Sequence, residues 1–210
     1  HLDNGAQQGG RFDHITFEDC QALHSGDGTL APRDWSCGFD IPDTGDCTNL
    51  VVRRCLALDP YQDGFHLDGS WTPGHQQLTE NLLFEDCLAV DCGVRCASNQ
   101  EEKFQSGFYL QQHTVMRRCV SINCQHSGFV IKCEEGDFKM YDCTDFESVY
   151  SLDIEYRGGG WICESFTSVR PQQRAFVATC PSGSFPNFRI FDPPASPKPV
   201  RFGILERVDF

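Results

Sequence analysis

A motif that recurs every 24 to 35 residues constrains the fold of this chain more than any other feature. Each copy has one apolar residue, two polar residues and a cysteine, and the cysteines are Cys20, Cys55, Cys87, Cys119 and Cys143. A second apolar segment follows, which in four copies begins with a Gly-Phe pair: Gly38-Phe39, Gly64-Phe65, Gly107-Phe108 and Gly128-Phe129. Short alternating segments without a helical period predict β-strands, and the repeat length predicts a solenoid of stacked coils. We expect glycine at these pairs because a tight corner requires backbone angles that other residues avoid.

The charges that precede each cysteine support this stacking. Adjacent coils place equivalent residues about 4.8 Å apart, where like charges destabilise a sheet. One predicted outward column contains Glu18, Arg53, Glu85, Arg117 and Tyr141. Its neighbour contains Asp19, Arg54, Asp86, Arg118 and Asp142. The charged members of both columns alternate in sign from coil to coil, which predicts a ladder of lateral ion pairs.

The chain contains 13 cysteines, a high number for 210 residues. The repeated cysteines predict an inward column of small apolar side chains, with Cys163 as a sixth member, because free cysteine is among the most buried residue types. The remaining cysteines fall in predicted loops or strand ends, where the pattern favours disulfides of the kind found in secreted proteins. These are Cys37, Cys47, Cys92, Cys96, Cys124, Cys133 and Cys180.

Length, charge and hydropathy narrow the possible partners. We expect one domain over residues 1–210, with a lead-in at 1–10 and an irregular last coil at 181–210. The formal net charge of −13 argues against a nucleic acid partner. No apolar run approaches the ~20 residues that a membrane-spanning helix needs, and the start at His1 looks like a trimmed, mature terminus. We therefore expect a secreted, extracellular protein that contacts neither nucleic acid nor membrane.

The aligned repeats resemble a known superfamily. The segments D-G-F-H-L at 63–67, S-G-F-Y-L at 106–110 and S-G-F-V-I at 127–131 resemble the right-handed parallel β-helix (pectate-lyase-like) superfamily. The resemblance covers nearly all of residues 11–180. It implies an all-β fold, a right-handed parallel β-helix (β-solenoid) of about seven coils, and a polysaccharide substrate.

Within that superfamily the succession of Gly-Phe strands is similar to polysaccharide lyase family 9. In that family an Asp-Asp-Gly turn contributes to a calcium site, and a lysine in a later G-F-K-L strand removes the α-proton. This chain has Gln62-Asp63-Gly64 at the turn, and Tyr109 stands where that family has its lysine. A lysine, Lys132, occurs one coil later and two residues further along the strand.

Side chains alternate between the two faces of a strand, so inward phenylalanines fix the outward residues. One predicted outward column contains Asp40, His66, Tyr109, Val130 and Asp153. The next contains Pro42, Asp68, Gln111, Lys132 and Glu155. We expect these columns to form a solvent-exposed face that accommodates a few sugar units.

The residue types on this face predict acid–base chemistry on a glycan. We expect a lyase that cleaves a uronate-containing polysaccharide by β-elimination, with these candidate catalytic residues: His66, Tyr109, Lys132, Asp68 and Asp40. Candidate substrate-binding residues are Gln111, Glu155, Asp153 and Trp71, and candidate calcium ligands are Asp63, Asp59 and Asp91. One alternative is a glycoside hydrolase that uses two of the carboxylates Asp40, Asp68, Asp153 and Glu155. Another is a β-helix that binds carbohydrate or mediates adhesion without catalysis.

Overall fold

The computed structural model describes residues 10–26, 36–41, 45–67, 79–96, 105–111, 113–133, 137–156, 161–178, 184–192 and 207–208. All regular structure within these ranges is β-strand. None of the described residues belongs to a helix long and apolar enough to cross a membrane. The predicted lead-in and irregular last coil lie largely outside these ranges.

The described residues form 24 strands with the following bounds. In chain order they are β1 (Gly10–Asp13), β2 (Thr16–Glu18), β3 (Gln21–Leu23), β4 (Phe39–Ile41), β5 (Gly45–Thr48), β6 (Val51–Arg53), β7 (Leu56–Leu58), β8 (Phe65–Leu67), β9 (Thr79–Glu80), β10 (Leu82–Glu85), β11 (Leu88–Val90), β12 (Phe108–Gln111), β13 (Thr114–Arg117), β14 (Val120–Ile122), β15 (Ser127–Cys133), β16 (Phe138–Tyr141), β17 (Thr144–Phe146), β18 (Tyr150–Tyr156), β19 (Trp161–Glu164), β20 (Thr167–Val169), β21 (Arg174–Ala178), β22 (Ser184–Phe185), β23 (Arg189–Phe191) and β24 (Arg207–Val208).

These strands form four parallel sheets, and neighbouring strands of a sheet come from successive repeats. The eight-stranded sheet has the order β2-β6-β10-β13-β16-β19-β22-β24, and the seven-stranded sheet has the order β23-β20-β17-β14-β11-β7-β3. The six-stranded sheet has the order β21-β18-β15-β12-β8-β4, and a small sheet contains β1-β5-β9. The chain thus visits the larger sheets in turn, and the all-β prediction is confirmed. The parallel pairing is compatible with a β-helix or solenoid.

Single residues with a left-handed backbone form the corners between sheets. After the eight-stranded sheet, Arg54 and Arg118 both have φ of 50°. The residues that follow strands of the seven-stranded sheet also have positive φ: His24, Asp59, Asp91, Asn123 and Glu147. A single non-glycine residue can adopt the left-handed backbone conformation at a small free-energy cost, whereas a left-handed helix would pay that cost at every residue. Each corner needs one such residue, so aspartate and even arginine can occupy it.

The glycines of the Gly-Phe pairs are needed for space and not for backbone angle, so the expectation of special angles was wrong. Among the described glycines only Gly26 and Gly93 have positive φ. A Cβ atom on Gly64 would lie 2.6 Å from the carbonyl oxygen of Gly107 and 3.0 Å from Cβ of Ala89. Successive repeats therefore pack backbone against backbone at this position.

Aromatic and thiol side chains fill the interior in columns. The rings of Phe39, Phe65 and Phe108 stack with centroids 4.8 Å apart, which is the spacing of adjacent strands. The predicted cysteine column is buried at four consecutive repeats: Cys55, Cys87, Cys119 and Cys143. Its sixth member was predicted wrongly, because Cys163 pairs with Met140 on the eight-stranded sheet. Phe166 follows Cys143 in the column and is fully buried.

The predicted disulfides are absent from the part of the chain that the structure describes. Eleven cysteines are described there as free thiols, including five of the predicted loop cysteines: Cys37, Cys47, Cys92, Cys96 and Cys124. The Cys124 thiol, for example, lies 3.2 Å from the Ser121 hydroxyl. The Cys133 side chain and Cys180 lie outside the described part of the chain.

The predicted ion-pair ladder is confirmed. The Glu85 carboxylate lies 2.8 Å from Nε of Arg53 in the preceding repeat and 2.9 Å from Nη2 of Arg118 in the following one. Further pairs join Arg54 to Asp19 and Arg118 to Asp86, each at 2.7 Å. The alternation of charge read along the sequence therefore reports the true stacking register of the strands.

Candidate functional site

The six-stranded sheet brings the predicted outward residues into the expected order. Its registers pair Asp40 with His66, His66 with Tyr109, Tyr109 with Val130 and Val130 with Asp153. A second row pairs Gln111 with Lys132 and Lys132 with Glu155. We call this outward side of β4, β8, β12, β15 and β18 the candidate face.

The candidate face is not the open surface that the sequence suggested. Relative exposure is 6 % for Asp40, 3 % for His66, 1 % for Tyr109 and 2 % for Val130. The expected solvent-exposed face is therefore wrong for this part of the sheet. Exposure increases along the other row and toward later repeats, since Lys132 and Asp153 are half-buried and Glu155 is exposed.

His66 is held by Asp63 of the same repeat. Nδ1 of His66 donates a hydrogen bond of 2.8 Å to Oδ2 of Asp63. The second carboxylate oxygen, Oδ1, accepts a hydrogen bond of 2.7 Å from the backbone N–H of Ser106. Both oxygens of this fully buried carboxylate are thus engaged, so the position of the imidazole is fixed by the backbone of the next repeat.

Tyr109 lies against the other side of this arrangement. Its ring stacks on the imidazole of His66, with centroids 5.1 Å apart and planes 6° from parallel. The contact follows from the register, because His66 and Tyr109 are paired on adjacent parallel strands. Two proton-transfer groups of the predicted site are therefore in direct contact.

Cys37 completes a cluster that the sequence analysis did not recognise. Cys37 belongs to the repeat that precedes that of Asp63. The backbone N–H of Gly38 donates to the carbonyl oxygen of Asp63 at 2.9 Å, and this hydrogen bond places Cys37 beside Asp63. The Cys37 side chain is buried and hydrogen-bonds to His66. One donor atom from each of Cys37, Asp63 and His66 lies within 4.8 Å of the others, and we call these three residues the Cys37 cluster.

The signal that could have identified this cluster is positional. Cys37 and Asp63 both stand two residues before the phenylalanine of a Gly-Phe pair, at Phe39 and Phe65. Stacked repeats bring equivalent positions together, so a thiol and a carboxylate at this position predict contact. Because Cys37 was predicted to form a disulfide, its contact with Asp63 was not predicted.

Burial and mutual contacts shift the protonation of all three groups. Burial raises the pKa of the Cys37 thiol to about 11, although His66 opposes this rise. Burial also raises the pKa of Asp63, against the lowering effect of its hydrogen bond to His66. For His66 burial disfavours the charged form, but contacts with Cys37 and Asp63 outweigh it and raise its pKa well above the usual value. At neutral pH the thiol therefore keeps its proton.

The other predicted calcium ligands lie in different surroundings. Asp59 pairs with His24 and Arg95 at 2.8 Å each. Asp91 accepts a hydrogen bond of 2.7 Å from Asn123. Among the described residues, the one group of three potential ligands that lie close together contains Asp63 but neither Asp59 nor Asp91.

A thiol and an imidazole are not ligands that calcium prefers, so the residues around Asp63 do not fit that ion. Two further predicted site residues, Asp68 and Trp71, lie outside the described residues, as does the side chain of Gln111.

A carboxyl pair occupies the more accessible end of the candidate face. Asp153 and Glu155 are two residues apart on β18, so their side chains project from the same side of the strand. Burial, together with a smaller effect of the nearby Glu155 carboxylate, raises the pKa of Asp153 to about 7. One carboxyl of this pair is therefore partly protonated at neutral pH.

The site thus offers three kinds of chemistry. The dyad of His66 and Asp63 is suited to proton transfer, the carboxyls of Asp153 and Glu155 to acid–base catalysis on a glycoside, and the Cys37 cluster to metal coordination. No protein-family model, no curated protein and no solved structure matches this chain.

Proposed function

We propose that the chain is a secreted right-handed parallel β-helix of about seven coils that cleaves a uronate-containing polysaccharide by β-elimination. The fold is supported by the parallel pairing of strands from successive repeats. This pairing presents an extended row of side chains on one sheet, as binding of a polysaccharide requires. The resemblance of the Gly-Phe strands to polysaccharide lyase family 9 supports the substrate class.

One observation carries the proposed chemistry: the buried hydrogen bond between His66 and Asp63 beside the ring of Tyr109. A carboxylate on Nδ1 fixes the orientation of an imidazole and stabilises its protonated form. Tyr109 supplies a second group that transfers protons within reach of the same substrate atoms. Together they are an acid–base pair whose geometry exists before substrate binds.

The reaction assigns a role to each group. One member of the pair removes the proton on the carbon next to the uronate carboxylate, and the electrons of that C–H bond form a carbon–carbon double bond. The bond between the adjacent carbon and the glycosidic oxygen breaks, and the other member protonates the departing oxygen. Lys132 lies two residues beyond Val130, the register partner of Tyr109, and neutralises the substrate carboxylate.

The gradient of exposure defines how the glycan approaches. Glu155 is exposed and Lys132 is half-buried, whereas His66 and Tyr109 are buried. The polysaccharide contacts the open end of the candidate face, and the reacting sugar enters the region where burial strengthens electrostatic interactions.

Product analysis tests this proposal directly. The protein is incubated with pectin, alginate, glucuronan and neutral glycans, with and without a calcium chelator, and ultraviolet absorbance reports the unsaturated product. His66→Ala is expected to abolish the absorbance increase while the protein stays folded. His24→Ala is the matched control, because His24 makes the same 2.8 Å contact to an aspartate but lies on the surface. Equal activity in the His66 variant and the wild type would overturn the assignment.

A glycoside hydrolase is the second candidate, favoured by Asp153 and Glu155. The Asp153 carboxyl, with a pKa of about 7, and the exposed Glu155 carboxyl provide an acid and a base on one strand. This activity releases reducing ends without new ultraviolet absorbance, and Asp153→Asn is expected to remove it. Retention of a glycan without either product would instead identify a carbohydrate-binding or adhesion module.

A further inference from the structure

We infer that Cys37, Asp63 and His66 form a binding site for a thiophilic divalent cation, represented by Zn²⁺. The three side chains come from two adjacent repeats, and their donor atoms lie within 4.8 Å of one another. All three are buried. The site differs in donor type from the predicted calcium site.

The backbone holds the three donors in place. Gly38 donates to the carbonyl oxygen of Asp63 at 2.9 Å, and the Asp63 carboxylate accepts from the N–H of Ser106 at 2.7 Å. His66 lies on β8, paired on both sides with neighbouring strands. The ligand positions are therefore set by parallel-sheet registers and not by flexible surface loops, which is the arrangement that binds metal with little reorganisation.

The donor set matches zinc in softness and charge. Thiolate sulfur, imidazole nitrogen and carboxylate oxygen are the three donors that Zn²⁺ uses in proteins. A thiolate and a carboxylate together carry two negative charges, so a divalent cation neutralises the charge of the three ligands when the imidazole is neutral. Asp40, the register partner of His66, adds negative potential at the same place. Charge balance removes the cost of burying isolated anions.

The distances require only a small adjustment. Tetrahedral zinc with ordinary bond lengths separates its ligand atoms by roughly 3.3–3.6 Å. Nδ1 of His66 and Oδ2 of Asp63 lie 2.8 Å apart, so they must separate by less than about 1 Å. The metal replaces the proton that now joins them and the thiol proton of Cys37, and three protein ligands leave the fourth position open.

Metal binding regulates the proposed reaction, a consequence that rests on the proposed function. An imidazole whose nitrogen coordinates zinc, and whose carboxylate partner is also a ligand, no longer exchanges a proton with the substrate in the way that the proposed reaction requires. Zn²⁺ is therefore expected to inhibit the lyase, and a chelator is expected to restore it. Binding itself does not depend on which reaction the protein catalyses.

Cobalt substitution tests the site without any activity assay. Protein treated with chelator is titrated with Co²⁺, and we expect one equivalent to produce thiolate-to-cobalt absorption in the near ultraviolet together with visible bands of tetrahedral cobalt. Zn²⁺ is expected to displace these bands at one equivalent. Cys37→Ser is expected to remove the thiolate band, and Asp63→Asn to weaken binding by at least the ~10–100-fold that loss of an outer-shell partner costs, because it replaces a ligand.

Cys124→Ser is the matched control. Cys124 is also buried, and its Sγ lies 3.2 Å from the hydroxyl of Ser121, so a serine hydroxyl at this position keeps a hydrogen-bond partner. If Cys37→Ser does not fold, His66→Gln tests the site through a different ligand and is expected to weaken Co²⁺ binding. Absence of the thiolate band in folded wild-type protein, or its persistence in Cys37→Ser, overturns the inference. If the protein binds zinc but cleaves no glycan, the metal site stands and the proposed function is wrong. If it cleaves a glycan but binds no zinc, the proposed function stands and the metal site is wrong.

Discussion

His66 and Asp63 share a 2.8 Å hydrogen bond within a single repeat, three residues apart, on the outward side of a parallel sheet. Both side chains are almost fully buried. A polar pair with this burial needs specific partners on every side, because an unsatisfied buried group destabilises the fold. The pair obtains them from the adjacent repeats, which makes its geometry a property of the stacking.

Asp63→Asn is expected to reduce lyase activity by about 100-fold or more, because general acid–base catalysis contributes at least that factor. The amide does not hold the imidazole in one tautomer as the carboxylate does. Proton–nitrogen correlation spectra of the His66 ring measure the tautomer independently of turnover, and the Nδ1–H signal of the wild type is expected to disappear.

The matched control for this prediction is Asp59→Asn. Asp59 makes an identical 2.8 Å contact with Nδ1 of His24, but that histidine is exposed. Its replacement is expected to leave activity and the His66 spectrum unchanged. A loss of activity of the same size in both variants would show that Asp63 contributes to folding and not to the orientation of His66.

Thiol counting tests the absence of disulfides. We expect at least eleven cysteines of the unfolded, unreduced protein to react with an alkylating reagent, as measured by mass spectrometry. In the folded protein Cys20 and Cys96 are expected to react first, because they are partly exposed. Burial raises the pKa of Cys47 to about 11, so such buried thiols react slowly. Fewer than eleven reactive thiols after unfolding would contradict the structure.

Much of the scaffold could be predicted from the sequence because stacking imposes the same requirement on every repeat. The alternating charges around Glu85 report the register, since like charges cannot face each other across adjacent strands. The cysteine column was predicted for the same reason. Alignment failed at Cys163, because the register places it beside Met140, and Phe166 occupies the position that follows Cys143 in the column.

The candidate site could be predicted only in part. The order of Asp40, His66 and Tyr109 on the sheet follows from strand alternation, but alternation does not show whether the outward side is covered. The contact between Cys37 and His66 depends on which residues of two repeats stack at the strand entrance. Cys37 and Asp63 occupy the same position of two successive repeats, but the sequence does not show that the His66 side chain turns toward them.

Gly64→Ala is expected to destabilise the protein by about 1–3 kcal/mol, the usual cost of overpacking a close-packed interior. The added methyl group would lie 2.6 Å from the carbonyl oxygen of Gly107, a backbone atom that cannot move without breaking the stack. Chemical unfolding followed by circular dichroism measures the change. A difference below about 0.5 kcal/mol would show that adjacent repeats separate easily at this position.

Glu85→Gln is expected to cost about 0.5–1 kcal/mol, since surface ion pairs contribute little individually. The hydrogen bond from Arg118 is the main reason that the pKa of Glu85 is lowered, with Arg53 adding to it. A lowered folded pKa means that this stabilisation is present above the unfolded value and is lost as the pH falls. Unfolding at neutral and acidic pH, with and without added salt, tests this, and an effect independent of both pH and salt would contradict it.

Asp145 occupies a column that small residues fill elsewhere. Its register partners on the neighbouring strands are Ser121 and Ser168, and the whole side chain is buried. Oδ1 accepts a hydrogen bond of 2.6 Å from Ser148. Burial raises the pKa of Asp145 to about 7, although hydrogen bonds from serines oppose the rise. The folded state therefore retains a proton that the unfolded chain releases near its ordinary pKa of 3.8.

The folded protein binds more protons than the unfolded chain between these two values, so its free energy of unfolding falls as the pH rises from about 4 to about 7. Asp145→Asn removes this titration, and across that window the wild type is expected to lose roughly 4 kcal/mol relative to the variant. Urea unfolding at a series of pH values measures the difference. Asp142→Asn, at an exposed corner with φ of 51°, is the control and is expected to show no such trend. A constant difference between Asp145→Asn and wild type would show that the Asp145 carboxyl ionises as freely in the folded protein as in the unfolded chain.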